Sequence, residues 1–204
     1  MNRIAVFTLI IAACHAAPAQ LDAPAPLDAP SLDVSSLQSW TVPEGWRPEL
    51  LPFPLSFAPT LTHQGVEEVR FPPGVFDPSS TMYWSYVIAW RLVDVADLDD
   101  SGLSAELTTY YRGLMAAVDS NHVITAPDQI VANAHSGSGG FTLAVHIFDA
   151  FNQGQPVDLL GSATRVDCDG GSLWVFELSP ATTSIAAQLA QVGADARCGQ
   201  PPVQ

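Results

Sequence analysis

The stretch from Thr81 to Val93 constrains the fold more than any other part of the chain. Met82, Trp84, Tyr86, Ile88, Trp90 and Leu92 fall at every second position, so an extended backbone puts them on one face. The alternate positions, Tyr83, Ser85, Val87, Ala89, Arg91 and Val93, are also largely apolar. A strand that is apolar at both parities needs cover on both sides, which predicts a central strand.

Weaker strand patterns surround it. Val66–Phe71 precedes it, and Gln129–Ala134, Phe141–Phe151, Pro156–Asp167 and Ser172–Leu178 follow. Asp169-Gly170-Gly171 joins the last two with residues that tolerate positive φ, the signature of a hairpin turn. Between these strand patterns, Leu103, Leu107, Tyr110, Leu114 and Ala117 recur at helical spacing, predicting a helix over 103–118 capped by Ser101 or Ser104. Ser179-Pro180 has the cap-then-proline order of a second helix start. Ile185, Leu189 and Val192 would form its inner face, and Gly193 its stop. The expected fold is a single α+β domain, mainly antiparallel sheet, with two helices packed on one face and one disulfide.

Trp40 to Pro59 carries too many prolines for a helix or a central strand. The expectation is a segment that wraps the domain surface and presses Trp40, Trp46, Phe53 and Phe57 into the core edge. The folded region is expected to span 40–198, with a flexible tail at 199–204.

The N-terminus has the anatomy of an export signal over 1–19. Arg3 precedes the apolar run Ile4 to Ala13, and small residues follow through Ala19. The run is shorter than the roughly 20 residues needed to span a bilayer. Ile11-Ala12-Ala13-Cys14 resembles the lipobox of bacterial lipoproteins, in which the cysteine is acylated. Ala17-Pro18-Ala19 resembles an ordinary signal-peptidase site, and both exits stay open. Leu21-Asp22-Ala23-Pro24 then recurs as Leu27-Asp28-Ala29-Pro30, so residues 20–39 read as an extended, disordered tether. Export leaves Cys168 and Cys198 as an even pair in an oxidising compartment, which reads as a disulfide.

Composition excludes several chemistries. All seven basic residues are Arg, so lysine Schiff-base chemistry and a P-loop are both excluded. Without the signal, six Arg face 21 acidic residues, a net charge near −15. Such a surface repels phosphate backbones and anionic headgroups, so no nucleic-acid partner is expected, and membrane attachment only through a lipidated Cys14.

Four candidate sites arise. Arg91, His146, Arg165 and Glu177 lie within strands and would form a polar cluster in an apolar sheet if they shared a face. Trp84 and Trp90, with Tyr86, could offer a stacking platform, although Ile88 and Leu92 on the same face also suit a core. Asp97, Asp99 and Ser101 match the front half of an EF-hand loop within the acidic 94–102 turn. The closing glutamate position holds Thr108, so calcium binding there would be weak, and no other cofactor is expected. Ser136 sits in Ala134-His135-Ser136-Gly137-Ser138, where both glycine positions of a G-x-S-x-G elbow fail, and a loop entering a strand is the better reading.

The expected function is a non-catalytic, exported binding domain for a protein or small molecule of the cell envelope. The alternatives are an exported hydrolase without a recognisable motif and a weak calcium-binding module.

Overall fold

The buried strand inferred from Thr81–Val93 organises the whole architecture. The computed structural model describes residues 40–93 and 97–198. The expected signal with Cys14, the 20–39 tether, the 199–204 tail and Asp94 lie outside the described residues. Seven antiparallel strands form one sheet in the order β1-β2-β3-β7-β6-β5-β4. These are β1 (Arg47–Phe53), β2 (Gly65–Phe71), β3 (Tyr86–Leu92), β4 (Val131–Gly137), β5 (Gly140–Asp149), β6 (Gln155–Cys168) and β7 (Gly171–Pro180). Helix α1 (Asp100–Val118) links β3 to β4, and helix α2 (Ala186–Ala194) follows β7. Neither helix is long and apolar enough to cross a membrane.

Every residue of β3 is buried, as its double apolar pattern requires. Tyr86, Ile88 and Trp90 join Phe176, Leu178 and the inner residues of α1 in the larger core. Val87 and Ala89 point the other way and join Leu173, Val175, Ile185, Leu189 and Val192. The two helices therefore cover opposite faces, which corrects the expectation of one shared face. The physical reason lies in β3 and β7 themselves: strands apolar on both sides need a helix on each.

Local differences follow from backbone chemistry. The proline-rich segment does press Trp40, Trp46 and Phe53 into buried positions, but 47–53 is an edge strand paired with β2. Pro48 and Pro52 fit there because an edge strand leaves one row of N–H groups unused. The strand expected from Thr81 begins only at Tyr86, because Trp84 has a left-handed φ of 46° that no strand accommodates. Trp84 N–H donates to the carbonyl of Val75 at 2.7 Å, which holds it there.

Helix α1 begins three residues before the expected start. Its cap is Asp99, whose Oδ1 accepts from Gly102 N–H at 2.7 Å and from Ser101 Oγ at 2.8 Å. The expected stripe holds through Tyr110 and then moves to Tyr111 and Met115, leaving Ala117 exposed. Ser104 instead ties α1 to β4, accepting from Ala134 N–H at 2.8 Å. Ser179-Pro180 closes β7 rather than opening a helix, and α2 starts at Ala186 after Ile185. Gly193 is its penultimate residue, not its stop. Cys168 and Cys198 form a disulfide with a Cα–Cα distance of 5.5 Å, stapling the end of β6 to the segment after α2.

Candidate functional site

The dipeptide Glu67-Glu68 in the middle of β2 is the chemical centre of the molecule. Successive strand residues point to opposite faces, so the pair delivers one carboxyl to each side of the sheet. Both are fully buried.

On the α2 face, Glu68 is paired with two guanidinium groups. Arg70 approaches its Oε2 at 3.0 Å and Arg91 its Oε1 at 2.9 Å. The Trp40 ring lies beneath Arg70 at 4.6 Å, and burial holds the Arg70 guanidinium below its ordinary pKa. This is a structural charge cluster inside a layer of packing.

On the α1 face, Glu67 meets no cationic partner among the described residues. Its Oε2 accepts the indole N–H of Trp90 at 2.7 Å, and its Oε1 accepts the Tyr110 hydroxyl at 3.1 Å. Burial raises the carboxyl to a pKa of about 7, opposed by those two hydrogen bonds and reinforced by Glu49. The phenols around it are held neutral: burial pushes Tyr86, Tyr110 and Tyr111 above their ordinary values. Tyr86 and Tyr111 share a hydroxyl–hydroxyl bond of 2.9 Å.

Glu67 also lines a cavity of about 310 Å³ between the β1-β2-β3 end of the sheet and α1. Strands contribute Arg47, Glu49 and Leu51 from β1, Val69 and Phe71 from β2, and Tyr86 and Ile88 from β3. Helix α1 contributes Tyr110, Leu114, Met115 and Val118. Phe57, Phe76, Trp84 and Phe151 reach in from the connections. Their rings form a continuous wall, with Phe76 at 5.7 Å from Trp84 and 4.5 Å from Phe151, and Phe71 at 6.1 Å from Tyr86. Arg47, Glu49 and Phe151 are solvent-exposed and form the mouth. Arg47 stands opposite Phe71 in the register and places its guanidinium 5.0 Å above that ring.

The sequence-derived candidates are distributed differently. Trp84 lines the cavity, while Trp90 is wholly buried and serves as a hydrogen-bond donor to Glu67. Arg91, His146, Arg165 and Glu177 are not brought together. Arg91 belongs to the Glu68 cluster, and Glu177 accepts from Ser162 Oγ at 3.1 Å with its carboxyl pKa raised by burial. Arg165 stands opposite Trp174, on the α1 face, and pairs with Asp97 at 3.0 Å and Asp167 at 2.7 Å. His146 pairs with Asp158 directly across β5 and β6 at 2.7 Å. Asp97 and Asp99 are thus engaged by an ion pair and a helix cap, with Ser101 donating to the cap. Among the described residues no group of three His, Cys, Asp or Glu is placed to share a metal ion.

Glu67 and the cavity were missed by sequence reasoning. The available signal was two adjacent carboxylates flanked by valines inside a strand, which sends one charge into each layer of a sheet covered on both sides. No protein-family model, curated protein or solved structure matches the chain.

Proposed function

We propose that this protein is an exported, non-catalytic binding domain that takes a small, largely apolar ligand in the cavity between β1-β2-β3 and α1. The observation that carries the reading is an aromatic-walled cavity of about 310 Å³ with one buried carboxyl among its lining groups. Ligand sites combine apolar walls with few convergent polar groups, and this volume falls at their small end. Trp84 supports it further, since a non-glycine residue held at positive φ beside a cavity is a local cost that binding sites characteristically carry. Export is supported by the N-terminal pattern around Ile4–Ala13 and by the Cys168–Cys198 bond, which persists in oxidising compartments. Attachment through an acylated Cys14 belongs to the same reading, and intact mass of protein from its native envelope distinguishes it from a chain beginning near Gln20.

A second reading, an enzyme, is favoured by one observation: a carboxyl with a pKa near 7 facing a cavity is suited to general acid–base work. Against it, among the described residues neither His135 nor His146 has a hydroxyl bonded to its imidazole.

The test is ligand-induced quenching of tryptophan fluorescence by small aromatic and branched aliphatic compounds. Saturable quenching that disappears when the cavity is filled by Leu114→Trp, with circular dichroism unchanged, is the expected result. Quenching that survives Leu114→Trp would place binding elsewhere.

A further inference from the structure

We infer that the ligand is an organic cation, an amine or quaternary ammonium on a compact apolar body, whose charge is received by Glu67 and the surrounding aromatic faces. The inference rests on the cavity being the ligand site and adds the chemistry of its occupant.

The charge inventory of the cavity carries it. Two carboxyl groups, Glu67 and Glu49, line the cavity on the same sheet face. Glu49 pairs with Val69 and Glu67 with Leu51, so the two are diagonal neighbours across β1 and β2. Among the described residues the one cation in the lining, Arg47, is exposed at the mouth and seated on the Phe71 ring. The neighbouring residue sharpens the contrast: Glu68, buried to the same degree, has two guanidinium partners, while Glu67 has two neutral donors. Both Glu67 oxygens already accept hydrogen bonds from neutral donors, contacts that favour the ionised form without supplying a counter-charge. What such a buried carboxylate lacks is a positive charge.

The walls supply the rest. Trp84, Tyr86, Tyr110 and Phe76 present π systems to the cavity, and aromatic faces attract ammonium groups most strongly where water is excluded. Arg47 over Phe71 is an instance of the same contact at the entrance. An anionic ligand would meet two carboxyl groups, and a neutral one would leave Glu67 without a counter-charge whenever it is ionised.

The experiment is isothermal titration of the mature protein with phenyltrimethylammonium and with tert-butylbenzene, its uncharged isostere, from pH 5 to 8. The ionisable groups facing the site are Glu49 and Arg47 from β1, Tyr86 from β3 and Tyr110 from α1; Tyr111 bonds to Tyr86 behind it, and the His63–Glu106 pair adjoins Trp90. The expected result is tighter binding of the cation, by about tenfold or more at pH 8. Its affinity should rise about tenfold per pH unit below the Glu67 midpoint and level above it. Glu67→Gln should abolish both the preference and the slope, and Glu49→Gln at the exposed rim should weaken the cation less. Should Glu67→Gln not fold, the pH slope of the unmodified protein decides alone. Equal or tighter binding of tert-butylbenzene overturns the inference and leaves the cavity as a site for neutral ligands. Binding of neither probe overturns the inference together with the ligand-site reading.

Discussion

Glu67 and Trp90 stand directly opposite one another on β2 and β3, and the Trp90 indole N–H donates to Glu67 Oε2 at 2.7 Å. The pairing makes one residue of the central strand answer for a carboxyl on its neighbour. It also explains why a tryptophan with no exposed surface occupies this point of β3 rather than a smaller apolar residue. The indole supplies area to the core and a donor to the cavity floor at once.

The raised pKa of Glu67 sets a pH dependence of stability. Its carboxyl moves from 4.5 to about 7 on burial, so between those values the folded state holds a proton that the unfolded chain has released. Native protein then binds more protons than unfolded protein, and stability falls as pH rises through this window. The size is about 3 kcal/mol between pH 4.5 and 7.5. Urea denaturation across this range should show the decline in the unmodified protein and a loss of most of it in Glu67→Gln.

The adjacent residue behaves in the opposite sense. Glu68→Gln leaves Arg70 and Arg91 buried without their shared counter-charge, which costs about 3–5 kcal/mol at neutral pH. Chemical denaturation of the two single variants at pH 7.5 should therefore separate them, with Glu67→Gln at or above the unmodified protein and Glu68→Gln well below it. Similar losses for both would contradict the assignment of the two carboxyl groups to different faces.

Gly113 lies where α1 touches the chain between β1 and β2. A Cβ there would sit 2.0 Å from the carbonyl oxygen of Phe57, a backbone atom that cannot rotate away. Alanine ordinarily favours a helix over glycine by about 1 kcal/mol. Gly113→Ala should nevertheless lower the melting temperature, and it should perturb ligand-induced quenching because Phe57 and Leu114 both line the cavity. A rise in melting temperature would show that the 55–58 segment yields.

The disulfide closes a loop of 30 residues that contains β7 and α2. Loop-closure entropy gives it about 3–4 kcal/mol of stabilisation. Denaturation of a Cys168→Ser/Cys198→Ser variant should show a loss of this order, with greater hydrogen exchange in α2 than in α1.

Legibility differed sharply among parts of the fold. The burial of β3 on both sides was visible because alternation at two parities is a property of the local chain. The hairpin at Asp169-Gly170-Gly171 was visible for the same reason, and Gly170 does hold a positive φ of 79°. Strand β1 was not visible, since Pro48 and Pro52 exclude a central strand but say nothing against an edge. The start of β3 was also hidden, because the φ of Trp84 is imposed by its bond to Val75 in a different turn.

What the chain determined by itself was therefore local: which segments extend or coil, which strand needs two covered faces, and which two cysteines are available to pair. Tertiary structure alone decided that the helices take opposite faces, that Glu67 and Glu68 part company, and that Arg91, His146, Arg165 and Glu177 stay apart. It also gathered Phe57, Phe76, Trp84 and Phe151 from separate connections into one aromatic wall. The reason is that pleat parity specifies only which residues of one strand share a side. Which side that is, and what meets it there, depends on register with strands distant in sequence and on the layer packed above them.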